Sequence, residues 1–462
     1  MEDDSEVATP PANETQQVVI SEEHFPGVAE ESAAVAQQPA ASAQHSTKEA
    51  LTERLVLPTI TVVVFLVYLF SNPEPRNFYD YSFRMAEAML HGRLGLTENP
   101  GSWLNEMIHF GDRYYSAFPL GSVLSMMPFA ILKLARVINE MPGGLIAALL
   151  AGASAYFFFL LSAKYSDSLG RRALLALFPP LATWTWANLA FGGAWQLALG
   201  FAVLGQVGAL YFILIKPRPV IAGLFFAMAF GNRTEVLLVA PLFVYFLVRQ
   251  ESRQLDLFSP TLSARLRTFF ATTWERRREI AEFLFVPVLL GILTLAYNYA
   301  RFHSPFDFGY TRIPGIEHEA WFKHGLFSIH AIPDNAKAML LGGWRILDHK
   351  PYLVPAGFGG SIFLSSPMLF LLFGRKLRDR TTVTICWIAI AALTLVLWLH
   401  GNPGGWQFSY RYAMILLPWM FLVLLDNGRS KTSWAELALF VLSVTINAYA
   451  TYEFLWTSNV QP

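Results

Sequence analysis

Two carboxylates and two arginines stand in the polar stretches that interrupt long apolar runs. Asp80 lies in NFYDYSFRMAEAMLHGRLGL and Glu106 in WLNEMIHFGDRYY. Arg233 lies in GNRTE, and Arg411 in FSYRYA, beside Tyr410 and a few residues after Trp406. A positioned carboxylate takes the proton of a hydroxyl. Arginine grips phosphate through two parallel N–H bonds. Each residue also has a plainer reading. Asp80 precedes a segment of helical spacing, so it can cap a helix. Arg84, one turn on, can steady the ionised form of Asp80. Glu106 can be a solvated loop residue. Arg233 can be a topological anchor, Arg411 a side chain snorkelling to headgroups, and Tyr410 and Trp406 members of an aromatic belt.

The elements that must position these groups are apolar. Of 462 residues 54% are hydrophobic and only 15% charged, against about 25% in soluble domains. Runs near 20 apolar residues cross about 30 Å of hydrocarbon as helices. The sequence therefore predicts an all-α polytopic membrane protein. It disfavours a disulfide scaffold, a secreted globule and a nucleic-acid-binding domain; the lone Cys386 allows no intrachain disulfide. The zero net charge hides a split. Residues 1–50 hold ten acidic residues against one Lys, and the remainder carries a net of +9. This tail has too little apolar surface to order itself, and it lacks the basic start and apolar stretch of a signal peptide. It is expected to be a disordered acidic tail ahead of a transmembrane domain over 51–462.

Apolar segments fall at about 55–71, 117–138, 143–163, 173–190, 195–215, 219–231, 235–248, 281–300, 358–373, 382–400, 411–425 and 434–456. Short basic loops stay cytoplasmic. Residues 249–280 carry seven Arg, and 374–380 four basic residues, with Arg429 and Lys431 beyond. Outer loops are then 72–116, 301–357 and 401–410. Parity requires that 117–138 not cross fully, or that 219–248 be one interrupted span. The first choice keeps Lys164, Arg171, Arg172, Lys216 and Arg218 inside. It gives eleven full spans plus one broken segment containing Pro119 and Pro128. The eight histidines outside the tail all fall in or beside the outer loops.

The spans hold few ionisable groups, unlike ion-coupled transporters. In the first outer loop, Phe83, Ala86 and Leu90 share a helical face, which predicts a short helix on the membrane surface. The 301–357 loop is too long for a connector and is expected to be an acceptor-binding lid. Its acidic and His residues include Asp307, Glu317, His318, Glu319, His324, Asp334 and Asp348. They leave room for a divalent metal (Mg or Mn), but no spacing matches a zinc template.

In order along the chain, several segments resemble the GT-C membrane glycosyltransferases. The first loop reads Asp-x-x-x-Arg-x-Ala-x-x-x-x-x-Gly from Asp80, then Gly-x-x-Tyr-Tyr-x-x-Phe-Pro-x-Gly from Gly111. Later come GLFFAMAFGNRTEVLLVAPLFVYFL, YNYARFHSPFDFGY, FGGSIFLSSPMLFLL and GGWQFSYRYAMILLPWMFLVL. The pattern is most similar to the RgtA/B/C/D-like, dolichyl-phosphate-mannose-mannosyltransferase type, with protein O-mannosyltransferases and aminoarabinose transferases as distant kin. It covers about residues 55–425, and His303 stands where those proteins commonly have Gly. The resemblance implies a GT-C-like bundle of about 11–12 transmembrane helices in a bacterial inner membrane, with the active site on the outer face. It implies inverting transfer of a sugar from a polyprenyl-phosphate donor to a glycan, lipid or protein acceptor. In that scheme Asp80 is the general base, Arg233 and Arg411 bind the donor phosphate, and Arg84, Glu106, Tyr410 and Trp406 bind substrate. The other readings are a lipid or glycolipid flippase and a non-catalytic envelope assembly protein.

Overall fold

Six of the apolar runs fold as single helices of 19 to 26 residues, long and apolar enough to cross a bilayer. The computed structural model describes residues 53–101, 104, 106–166, 168–249, 258, 262–374, 377–426 and 431–460. The acidic tail, the basic pair at 375–376 and Arg429 lie outside them. In chain order come α1 (Glu53–Ser71), α2 (Tyr81–Leu90), β1 (Met107–Phe110), β2 (Arg113–Ser116), α3 (Leu120–Leu134), α4 (Gly143–Ser162), α5 (Leu169–Leu181) and α6 (Thr185–Ala190). Then follow α7 (Ala194–Leu214), α8 (Pro219–Asn232), α9 (Ala240–Arg249), α10 (Leu262–Glu275), α11 (Arg277–Phe302) and α12 (Ile332–Leu341). The chain ends with β3 (Trp344–Ile346), β4 (Leu353–Pro355), α13 (Ile362–Ser365), α14 (Arg380–Leu399), α15 (Leu417–Asp426) and α16 (Trp434–Leu455). The strands form two antiparallel hairpins, β1–β2 and β3–β4.

The six long helices are α1, α4, α7, α11, α14 and α16. Of these α7 is 83% buried, whereas α1 and α11 are 17% buried. An all-round apolar helix that is enclosed serves as a central pillar; α1 and α11 leave apolar faces outward. The other expected spans are not single long helices. The 173–190 run breaks after Pro179 and Pro180 into α5 and α6. The 235–248, 358–373 and 411–425 runs each contain a 3₁₀ stretch, at Thr234–Val239, Pro367–Phe373 and Arg411–Leu416. Among the described residues, six helices are thus long and apolar enough to cross as single helices. Prolines remove ladder donors, and polar residues such as Asn232 and Arg233 end helices early.

The 117–138 segment becomes α3, whose 15 residues extend about 22 Å at the helical rise. It meets α8 backbone to backbone: a methyl on Gly121 would stand 2.3 Å from Cα of Gly231. Small residues permit such approach between membrane helices. The first-loop helix, α2, is where it was expected but is not a surface helix. Phe83, Met85, Ala86 and Ala88 are buried, and Glu87 pairs with Lys133 of α3 at 2.8 Å.

Two groups of loops separate at opposite ends of α14. At one end Ser328 N–H donates to Leu399 O at 2.7 Å, Gly401 N–H to Leu326 O at 2.8 Å, and Gln407 N–H to Gly357 O at 2.8 Å. Arg301 Nη1 donates to Ser116 O at 2.8 Å, and Ile108, Tyr115, Phe302, Ile313, Ile316 and Phe322 form one apolar cluster. The 301–326 stretch therefore packs on the β1–β2 hairpin. His303, which ends α11 at φ 58°, holds the left-handed cap conformation that glycine adopts without strain. At the other end Arg171 pairs with Glu436 at 3.3 Å, Arg249 with Asp379 at 2.9 Å, and Lys164 donates to Leu214 O at 3.3 Å. Lys164 and Arg171 thus lie at the same end as Arg249.

Candidate functional site

Asp80 stands just ahead of α2, but its side chain makes no capping bond. Its Oδ1 instead accepts from Arg84 Nε at 2.6 Å. Burial raises the Asp80 carboxyl above its ordinary value, and Arg84 partly opposes this. The adjacent Tyr79 carbonyl accepts Ala194 N–H at 2.9 Å, which fixes the start of α7 beside Asp80. The next residue, Trp195, puts its ring 5.0 Å from both Tyr79 and Tyr81. Its Nε1 donates to Glu106 Oε2 at 2.7 Å. Glu106 is therefore not a free loop carboxylate. Burial pushes its carboxyl up; Trp195, Arg411 and Arg233 oppose this, and Glu319 adds to it. The 72–116 loop, the 301–357 loop and the turns carrying Arg233 and Arg411 all converge electrostatically on Glu106.

Arg411 is held from its backbone. Its N–H donates to Gln407 Oε1 at 2.9 Å, and Gln407 Nε2 donates to Pro403 O at 2.9 Å. Asn188 clamps Phe408 from both sides, donating to its carbonyl at 2.8 Å and accepting its N–H at 3.3 Å. Between them Ser409 sits at φ 55°, a left-handed conformation that costs a non-glycine residue roughly 1–2 kcal/mol. This framework buries the Arg411 side chain rather than letting it snorkel: it is 7% exposed. Among the described residues its Nε has no hydrogen-bond partner, and Nη2 reaches Tyr412 Oη at 3.4 Å. Among the described residues no carboxylate is ion-paired with it.

Arg233 is differently committed. Its Nε and Nη2 both donate to Glu235 Oε1, at 2.8 and 2.5 Å. Asn232 beside it donates to Ser125 of α3 at 2.8 Å, so the close α3–α8 contact sets its place. The two arginines share one ring: Arg233 lies 4.8 Å and Arg411 5.1 Å from the centroid of Tyr412. His400 packs among the rings of Tyr310, Phe322, Phe327 and Tyr412, and burial holds its pKa below the ordinary value.

The structure thus gathers Glu106, Arg233 and Arg411 and places Asp80 with Arg84 in the neighbouring aromatic group. The main charges acting on Asp80 are Arg84 and Lys133, not the two site arginines. Tyr410 and Trp406 have their polar atoms committed. Tyr410, fully buried, reaches Leu397 O at 3.2 Å and Asn335 Oδ1 at 3.3 Å, and Trp406 donates to Val460 O at 2.8 Å. Sequence reading missed Trp195, Tyr412, Gln407, Tyr310 and His400. Tyr412 had the one local signal, two places past Tyr410 in the same motif. As for a divalent metal, no three His, Cys, Asp or Glu side chains converge among the described residues, and Asp80 and Glu106 are already bonded to Arg84 and Trp195. Asp80 and Glu106 therefore do not form a free pair of carboxylate ligands.

No protein-family model matches the chain, and no curated protein is detectably similar to it.

Proposed function

We propose that the chain is a membrane glycosyltransferase of the GT-C type, moving a sugar from a polyprenyl-phosphate donor to an extracytoplasmic acceptor. The observation that carries this reading is Arg411: a buried guanidinium with an unpartnered Nε, no paired carboxylate among the described residues, and an aromatic ring beside it. A buried charge costs several kcal/mol unless something compensates it. A phosphate that arrives with the substrate is the natural complement, since arginine binds it through two N–H groups. A polyprenyl phosphate lies at headgroup level, where loops meet spanning helices.

The acceptor hydroxyl oxygen attacks the anomeric carbon while the bond to the phosphate oxygen breaks. Its electron pair leaves with the lipid phosphate, and the hydroxyl proton passes to Asp80. The transition state is oxocarbenium-like, so negative charge grows on the departing phosphate, where Arg411 and Arg233 stabilise it. Inversion requires the base and the leaving group on opposite faces of the carbon. In contact order, Asp80 and Arg411 are separated by Tyr81, Trp195 and Glu106, side chains suited to hold a sugar. The raised carboxyl of Asp80 makes it a stronger base once ionised. In this reading 72–116, 301–357 and 401–410 face the outside and the basic loops the cytoplasm.

Incubating the purified protein with radiolabelled polyprenyl-phosphate sugars and a cell-envelope extract tests the proposal. Label should move to an acceptor and stop moving in Arg411→Ala. If the protein instead translocates labelled lipid across vesicles with the sugar still attached, and does so equally well with Asp80→Asn, it is a flippase.

A further inference from the structure

We propose that α10 and the start of α11 form a binding site for an anionic phospholipid, at the end of the molecule opposite the transferase site. The inference rests on the chain being a membrane protein and is independent of glycosyl transfer. Leu266, Phe270 and Trp274 recur every fourth residue along α10 and are 48%, 66% and 71% exposed. Such a stripe lies along one helical face, and on a soluble surface it would be costly. Between α10 and α11 runs a groove of about 370 Å³, lined by Phe270, Trp274, Arg277, Ile280, Ala281 and Leu284. Thr273 also lines it, and its buried hydroxyl has no partner among the described residues.

Charge selects the occupant. Arg276 is paired with Glu279 at 2.8 Å, and Arg278 with Glu282 at 3.0 Å. Arg277 between them has no carboxylate pair among the described residues. Its Nη1 donates to Trp274 O at 2.9 Å, and its guanidinium stands 5.0 Å from the Trp274 ring. The cation is therefore fixed at the rim of an apolar groove. Beyond Leu284 the outward face of α11 continues with Phe285, Val288, Leu289 and Ile292, all exposed, on a helix long enough to span. A lipid phosphate on Arg277 with its acyl chain running along this face satisfies both features. An interfacial helix with aromatic and basic residues is a known form of such an anchor.

The test uses the full chain in phosphatidylcholine vesicles, with Cys386→Ala and a fluorophore on Phe270→Cys. A small fraction of brominated phosphatidylglycerol, or of brominated phosphatidylcholine, serves as quencher. Quenching by the anionic lipid should exceed that by the zwitterionic one by about fivefold, the enrichment expected from one surface cation. The excess should vanish in Arg277→Gln and persist in Arg277→Lys. A fluorophore on Leu289→Cys, which faces bulk lipid, should be quenched equally by both. Equal quenching at 270, an excess that survives Arg277→Gln, or quenching that scales with protein density because a second copy covers the groove would each overturn the proposal.

Discussion

At the basic end of the bundle Arg249 meets both oxygens of Asp379, at 2.9 and 3.0 Å, and Asp379 also accepts from Thr382 at 2.7 Å. At the loop end Arg411 is more enclosed than Arg249 or Asp379 and is ion-paired with no carboxylate among the described residues. The same side chain thus has a hydrogen-bonded carboxylate at one end and, at the other, only the longer-range attraction of Glu106. Asp426 illustrates the first habit. It accepts the backbone N–H of Arg378 at 2.9 Å and of Asp379 at 3.1 Å, closing the turn that begins α14. At the loop end Arg84, Arg233 and Arg312 are also paired, with Asp80, Glu235 and Asp307, so Arg411 differs from its own neighbours as well. The difference teaches that burial at one end comes with a paired carboxylate, whereas at Arg411 it does not.

The largest expected effect breaks the loop end at its base. Asp80→Asn keeps the size and a bond to Arg84 but cannot take a proton, and transfer should fall roughly 10²–10⁴-fold. The variant should insert and fold as the parent does, since no capping bond is lost. Turnover at the parent rate would remove Asp80 from the chemistry.

The next effect is a difference in sign between the ends. Arg171 and Glu436 are 1% and 3% exposed, so Arg171→Met strands a buried carboxylate and should cost about 3–5 kcal/mol. Arg411→Met removes a charge that has no paired carboxylate. Its melting temperature should hold or rise while transfer is lost. Melting curves in detergent decide this: a loss of stability in Arg411→Met as large as in Arg171→Met would mean that Arg411 is a structural ion and the contrast is false. A smaller change follows from Arg233→Lys, which keeps the charge and loses one N–H contact. Transfer should drop about tenfold, the worth of one charged hydrogen bond.

Sequence periodicity read the long helices to within a few residues: α7 was expected at 195–215 and runs Ala194–Leu214. Length and hydropathy determine such helices almost alone. The shorter runs are not single helices because Pro179, Pro180 and the 3₁₀ stretches divide them, which composition does not register. In the site, the Asp80–Arg84 pair was legible because a helix brings i and i+4 together. The Glu106–Trp195 bond and the Tyr412 ring between Arg233 and Arg411 join residues far apart in sequence, and only packing brings them together. Tyr410 and Trp406 were chosen for their type, and packing had already used their polar atoms.

The smallest effect concerns pH at the basic end. Burial pushes the Asp426 carboxyl up to about 6. A carboxyl raised above its unfolded value contributes stability below that value and loses it as pH rises through the folded one. Stability from Asp426 should therefore decline between about pH 4 and 6. Two other groups titrate with the opposite sign. Asp379 is held below its ordinary value by burial-opposing bonds from Arg249 and Thr382, so its contribution disappears only below about pH 4. His400, buried and held low, loses stability as pH falls through about 6.5. The parent curve mixes these slopes, so the informative quantity is its difference from Asp426→Asn. Melting temperature measured from about pH 4.5 to 7, roughly the carboxylate-to-imidazole range, should show the variant gaining on the parent as pH rises. A difference that stays flat across this range would place Asp426 in water and remove it from the closed network that sets the basic end apart.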